Sequence, residues 1–397
     1  MNQDNCLAEA FKMRNMLGEL EPEVNSEAEK PTAIVGFCED IFSDKAGALG
    51  SFAAAAEFAF GTIVQRTMDT PGNVRMHYGH PDLMNKLHII TRGGPSKATR
   101  QLHISEDIFG GFNHTLRGGR IKYREYMRVG KGRDMGLDSI NAFEIKISGG
   151  AGEVMISRDL WRLASRLDPV RLLHFYHSGM GYYVVNWLIM HTVYAQIFAL
   201  VFFALARADA IYTTVTMYDA LRVENVLQLG MLSLIPYIAE LALEHGFLRA
   251  FAILIQQIVA GSFAFFIFKQ QTTAFYFFDD MAHGGAQYIG TGRGFSLTTS
   301  QFLKVWTNYA RSHIYLGVEL LSLAILMYFF NNCESEDCYV GGLTWGTFLV
   351  AASLIFSPFW WVILELVSTR PNPTHQTNSA TTIPSGHHYP SIPLGCA

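Results

Sequence analysis

The sequence predicts an α+β portion over residues 1–177, placed in the cytosol, followed by a polytopic α-helical membrane domain over residues 178–367 and a disordered tail over residues 368–397. Three observations carry that division. Residues 181–206 contain no Asp, Glu, Lys or Arg, and about 20 apolar residues suffice to span a bilayer core. Only 16% of the 397 residues are charged and the mean hydropathy is +0.17, whereas soluble domains carry about a quarter charged residues. Before residue 178 the chain is mixed and charged. Turn signals punctuate it at Pro71-Gly72, Gly93-Gly94-Pro95, Gly118-Gly119 and Gly149-Gly150-Ala151-Gly152.

Taken in order, residues 4–20 place Leu7, Ala10, Phe11, Met16 and Leu17 at helical spacing and predict an amphipathic helix. Residues 32–36, TAIVG, predict a short buried strand, and residues 53–64 a helix. The polar, acidic first 29 residues do not resemble a signal peptide, which keeps the N-terminus in the cytosol. From Arg92 to Arg133 there are ten Lys/Arg against three acids, a net +7 in a chain of net charge −4. A stretch of that sign suits a phosphate-bearing ligand, nucleic acid or anionic lipid, or else a solvated basic face near a membrane.

In the second portion the apolar runs are 181–206, 226–239, 250–268, 314–330 and 342–364, about four or five helices. Residues 226–268 read as one crossing plus an interfacial or re-entrant helix. The arginines of 158–171 and the cations of loop 269–313 belong in the cytosol by the positive-inside rule. Loop 331–341 carries three acids and no cation and suits the outside; four crossings satisfy all three placements. Cys333 and Cys338 then lie outside, where they either pair or remain two free thiols. The five cysteines match no zinc spacing. The tail is rich in Pro, Ser, Thr and His, a composition that buries no core.

Chemistry concentrates in residues 102–120, LHISEDIFGGFNHTLRGGR. Transfer from an anionic donor needs cations for the departing phosphates and a carboxylate to take a proton from the attacking hydroxyl. Glu106 and Asp107 supply carboxylates; Lys97, Arg117, Lys131 and Arg133 supply cations. The same residues fit a bland reading equally well, with Ser105 capping a helix whose first turn holds two acids. The glycines of GTGRGF, 290–295, lack the Lys-Ser/Thr of a phosphate loop and read as structural. Phe275, Tyr276, Phe277 and Phe278, with Trp360 and Trp361, suit either a bilayer interface or a sugar path.

Several long stretches carry a resemblance: HYGHPD (77–82), TRGGPSKATRQLHISEDIFGGFNHTLRGGRIKYREYMRVGKGRD (91–134), GGAGEVMISRD (149–159) and HGGAQYIGTGRGF (283–295), with KMRNML and AIVGFCEDIFSDKAGALG upstream. Together they resemble the 1,3-β-glucan synthase family, which includes plant callose synthases and the fungal cell-wall enzyme. The resemblance implies a GT-A-like cytosolic fold. It implies inverting transfer of glucose from UDP-glucose to a linear β-1,3-glucan, export of the polymer through the membrane helices, and a multi-pass protein of the plasma membrane. Asp107 then falls in the general-base role with Glu106 as support. Lys97, Arg117, Lys131, Arg133 and Asp134 fall near the diphosphate or the acceptor. His80 and Asp82 of HYGHPD read as a buried hydrogen-bonded turn. Membrane lipid and, in fungi, a Rho-type GTPase are implied partners, and nucleic acid is not. No cofactor is assigned; the chain has no DxD motif, and the need for a divalent metal stays open.

Family members are far longer than this chain, so the sequence reads as an incomplete glycosyltransferase portion, expected to be inactive or poorly folded alone. The rival reading is a non-catalytic polytopic scaffold or channel subunit that keeps the family fold.

Overall fold

A computed structural model of the chain describes residues 7–20, 32–44, 48–70, 72–75, 82–85, 87, 91, 105–205, 232, 234–239, 241–243, 246–259, 262–284, 302–330 and 341–368. Lys97, His80, residues 290–295, Cys333, Cys338 and the tail from residue 369 lie outside the described residues.

The first portion is helical around a small sheet. Helix α1 (Leu7–Gly18) lies where a helix is expected, but of the expected apolar face Met16 is buried while Phe11 and Leu17 are exposed. Strand β1 (Thr32–Ile41) runs twice the length of the TAIVG core, with its first eight residues buried in succession. Burial on both faces suits a central strand, and β1 is the middle of the order β2-β1-β3. Helix α2 (Ala48–Phe58), a π-helical turn (Ala59–Val64) and α3 (Gln65–Asp69) follow without a break. Strand β2 (Leu83–Met84) pairs antiparallel with β1. Helix α4 (Glu106–Leu116) leads into β3 (Arg120–Lys131). The turn between them is a glycine cap: Gly118 takes a φ of +84°, and Gly119 N–H donates to the His114 carbonyl at 2.9 Å.

β3 runs parallel to β1, and its register slips. Phe37 faces Arg124 while Cys38 faces Arg128. Residues 125–127 therefore bulge out of the ladder, which bends the strand and re-aims its far end.

Helix α5 (Leu137–Met155) overturns one expectation. Gly149-Gly150-Ala151-Gly152 is not a turn but the buried interior of this helix. Each helical glycine costs about 1 kcal/mol relative to alanine. Close packing offsets that cost. A Cβ on Gly152 would stand 2.5 Å from the Phe277 carbonyl of a later helix, so only a glycine lets the two backbones approach.

The remaining helices are α6 (Arg158–Ala164), α7 (Pro169–Ser178), α8 (Met180–Leu205), α9 (Phe247–Val259), α10 (Ser262–His283), α11 (Phe302–Tyr309), α12 (Tyr315–Phe330) and α13 (Gly341–Ser368). A second π turn (Ala310–Ile314) joins α11 to α12. Asp168 begins α7 as an N-cap whose carboxylate accepts from Arg171 N–H at 3.0 Å. One apolar core runs through both portions of the chain. Met68, Phe109, Phe112, Val154, Leu163 and Phe175 pack with Met180 and Phe277, and Tyr183 stacks on Phe277 at 5.7 Å.

Among the described residues, no helix is long and apolar enough to cross a membrane, so the expected crossings are not seen there. The run 250–268 is divided between α9 and α10. α10 carries Lys269, Asp279 and Asp280 and buries Gln270, Gln271, Thr272 and Thr273 against its neighbours. α8 buries Asn186 and α13 buries Ser353 and Ser357. In the aromatic run of α10, Phe277 is fully buried, while Phe278 stacks on Trp187 at 5.3 Å and stays partly exposed.

Candidate active site

The acid pair opens α4. Glu106 is exposed and Asp107 half-buried in the first turn, where the helix dipole favours negative charge. Ser105 is the N-cap residue, but its side chain makes no capping hydrogen bond, which corrects that half of the expectation. The hydroxyl is not what orients the helix; burial is. Phe109 and Phe112 enter the main core, and Gly111 lies so close to the preceding segment that a Cβ there would stand 2.2 Å from the Arg75 carbonyl.

Arg75 is the pin of this arrangement. Its side chain is 1% exposed and its guanidinium pairs with Asp82, whose side chain is fully buried. Gly36 of β1 leaves the room: a Cβ there would meet the Arg75 Cζ at 2.9 Å. Two glycines, one on a strand and one on a helix, thus make space for one buried arginine. Asp82 has the buried structural role expected of it.

The cations lie at the far end of β3. Lys131 Nζ and Arg133 Nη2 both donate to Glu57 Oε1 of α2, and Lys131 Nζ also donates to Glu39 Oε1 of β1 at 3.2 Å. Arg133 is fixed twice more, by its backbone N–H to Ser43 Oγ at 2.9 Å and by its guanidinium over the Phe143 ring at 4.7 Å. Glu39 is fully buried against the π turn, where a Cβ on Gly61 would stand 2.4 Å from Glu39 Oε2. Burial alone would raise the Glu57 carboxyl, but the charges of Arg133 and Lys131 outweigh it and hold the group below its usual range. Asp134 follows, 3% exposed. Arg117 is the half-buried C-cap of α4, its backbone N–H donating to the Asn113 carbonyl at 3.0 Å. The structure thus unites Lys131 with Arg133, while the acid pair and Arg117 belong to the two ends of α4.

This pairing extends along the strand. Lys122 and Arg124 reach Glu19 at 3.3 and 2.7 Å, and Arg128 reaches Asp40 at 2.9 Å. Five cations of the stretch 92–133 are therefore matched by acids from outside it: Glu19, Glu39, Asp40 and Glu57. The net +7 of the linear sequence is not the charge that this face presents. Glu39 and Glu57 are the residues that sequence reasoning missed, because nothing near them in the chain marks them as partners of Lys131.

A different polar seam joins α5 to α10. Thr272 Oγ1 meets Asn141 Oδ1 at 3.3 Å and His313 Nε2 at 3.1 Å. Burial drives the His313 ring down to about 4, so the ring is neutral. Glu144 and Lys269 pair at 3.5 Å beside a shallow niche lined by Phe52, Phe265 and Phe268. Further along, burial, followed by the charge of Asp280, pushes Glu153 up to about 7; burial and Asp279 push Asp280 up to about 6. Among the described residues no cluster of three or more His, Cys, Asp or Glu could hold a metal ion.

The architecture is that of a mostly helical protein with a small mixed sheet, an acid pair opening one helix and a half-buried cation pair at the end of β3. The family model described as 1,3-beta-glucan synthase component matches residues 1–363, and the chain belongs to that family. It is 40% identical over 366 residues to callose synthase 12 of Arabidopsis thaliana, covering 90% of this chain and 20% of that protein. It is 38% identical over 372 residues to callose synthase 5 of the same plant, covering 91% and 19%. To callose synthase 11 it is 40% identical over 366 residues. The chain thus spans about a fifth of the length of these relatives.

Proposed function

We propose that this chain forms part of a glycosyltransferase that moves glucose from UDP-glucose onto a growing β-1,3-glucan with inversion and exports the polymer. Asp107 takes the proton of the acceptor hydroxyl, with Glu106 beside it. Lys131 and Arg133, joined by Lys97, Arg117 and Asp134, hold the donor diphosphate or the acceptor. One observation carries the reading. The acid pair sits at a helix N-terminus whose orientation is fixed by Phe109, Phe112 and the buried Arg75, as a pre-organised base requires. A metal ion is not needed for that role.

Work at the plasma membrane belongs to the same proposal. Leu188, Ile189, Phe198 and Phe202 on α8, Ile325 and Phe329 on α12, and Leu349 and Phe356 on α13 all leave large apolar surface uncovered, which supports contact with lipid. Asp107→Asn in the longest functional form of the synthase tests the base assignment. Radiolabelled glucose transfer should fall at least about 100-fold, within the range of general-base catalysis, with folding unchanged. Activity close to that of the unaltered protein would remove Asp107 from the mechanism.

The internal neutralisation of Lys131 and Arg133 favours a second reading, a non-catalytic scaffold that keeps the family fold. In that case Asp107→Asn changes neither assembly nor the glucan output of the complex.

A further inference from the structure

The proposed donor cations are already occupied. Lys131 and Arg133 converge on a single oxygen, Glu57 Oε1, and Lys131 is also held by Glu39. Two cations and two carboxylates make the corner neutral. The two cationic side chains remain 14% and 12% exposed. Their other supports do not depend on Glu57. Arg133 keeps Phe143 and its backbone bond to Ser43, and Lys131 keeps Glu39.

We infer that Glu57 is an internal competitor for the donor diphosphate: its carboxylate fills the Lys131–Arg133 fork in the ligand-free chain, and a nucleoside diphosphate binds there by exchange with it. This rests on the reading of Lys131 and Arg133 as donor contacts. Exchange follows from the geometry, because a phosphate oxygen and Glu57 Oε1 call on the same N–H groups, and two anions cannot share them at charge-assisted distance without repulsion. The consequence is a weakened hold on the diphosphate, which speeds release of the product. Glu57 is therefore a residue that acts through the cations and sets affinity for donor and product, with no contact to the reacting atoms.

The sign of the effect separates this role from a structural one. Loss of packing or of folded protein lowers the amount of binding-competent chain and leaves the dissociation constant unchanged. Removal of a competing charge strengthens binding. In equilibrium dialysis of radiolabelled UDP against the longest functional form of the synthase, Glu57→Gln should tighten the dissociation constant about tenfold, the size of effect that one charge-assisted hydrogen bond carries. Glu57→Asp, which keeps the charge but shortens its reach, should tighten it less, and it serves as the readout if Glu57→Gln does not fold. An unchanged or weakened constant in both variants overturns the exchange. Lys131→Met and Arg133→Met, run in the same assay, test the underlying reading separately. If neither weakens UDP binding, or if the unaltered chain binds no UDP, the donor-site assignment fails, and the exchange with it. If they weaken binding while the Glu57 variants do not strengthen it, only the exchange fails.

Discussion

Two regions of this molecule bury carboxylates, and they do it in opposite ways. In the corner at the end of β3, Glu39 and Glu57 face Lys131 and Arg133, and the cations hold Glu57 ionised. In the α5–α10 seam, Glu153 faces Asp280 and Asp280 neighbours Asp279, so burial and like charge push both Glu153 and Asp280 up. Desolvation acts in the same direction in both places; the sign of the neighbour decides the outcome. One region is therefore an ionic joint and the other a joint that prefers to hold protons.

The largest expected effect breaks the ionic joint. Lys131→Met removes the partner of both Glu39 and Glu57 and leaves the corner with one cation for two buried carboxylates. Stranding buried charge in this way costs about 3 kcal/mol or more. Urea unfolding followed by circular dichroism should show a midpoint shift of that order. The corresponding change in the seam, Glu153→Gln, should cost little or stabilise at neutral pH, because it removes repulsion. Equal losses in the two variants would erase the distinction between the regions.

The next effect concerns the backbone of the seam. Gly152→Ala places a Cβ 2.5 Å from the Phe277 carbonyl and 3.0 Å from Met281 N. Neither backbone atom yields cheaply, so α5 and α10 must separate, at a cost of about 2 kcal/mol. The added helix propensity of alanine, about 1 kcal/mol, works against this and does not cancel it. If the alanine variant gains stability in thermal unfolding, the close approach has been misjudged.

The same positions show what could be read from the sequence. α1 and the strand at 32–36 were legible because their patterns are local: a helical apolar spacing, and a buried β-branched run. The glycine run 149–152 was misread as a turn, since the reason for those glycines is another helix more than a hundred residues later. The basic stretch 92–133 was legible as composition but not as a field, because Glu19, Glu39, Asp40 and Glu57, which neutralise half of its cations, lie outside any window around it. Glu106 and Asp107 stand out in the sequence through their adjacency and their place before an apolar run, and the structure puts them in the first turn of α4. The buried Arg75 that helps to fix their helix gave no signal of its own.

The smallest effect is the most discriminating, since it reverses sign between the regions. Glu57 sits below its ordinary carboxylate value of 4.5 in the folded chain. Its contribution to stability is present above that value and is lost as pH falls through the folded one. Glu153 sits above 4.5, near 7. The folded chain then binds more protons than the unfolded chain between those limits, so the contribution of Glu153 is full below about 4.5 and is lost as pH rises through about 7. Glu153 is only half-buried, and its share is on the order of 1 kcal/mol once solvent screening is discounted. Between pH 5 and 8 the unaltered chain should lose stability through the seam, and Glu153→Gln should flatten that slope. Below pH 4.5 the loss should come from the corner, and Glu57→Gln should flatten that one instead. Unfolding midpoints measured from pH 4 to 8 for the three proteins decide the matter: if Glu57→Gln removes the slope above pH 5, the corner and not the seam holds the proton.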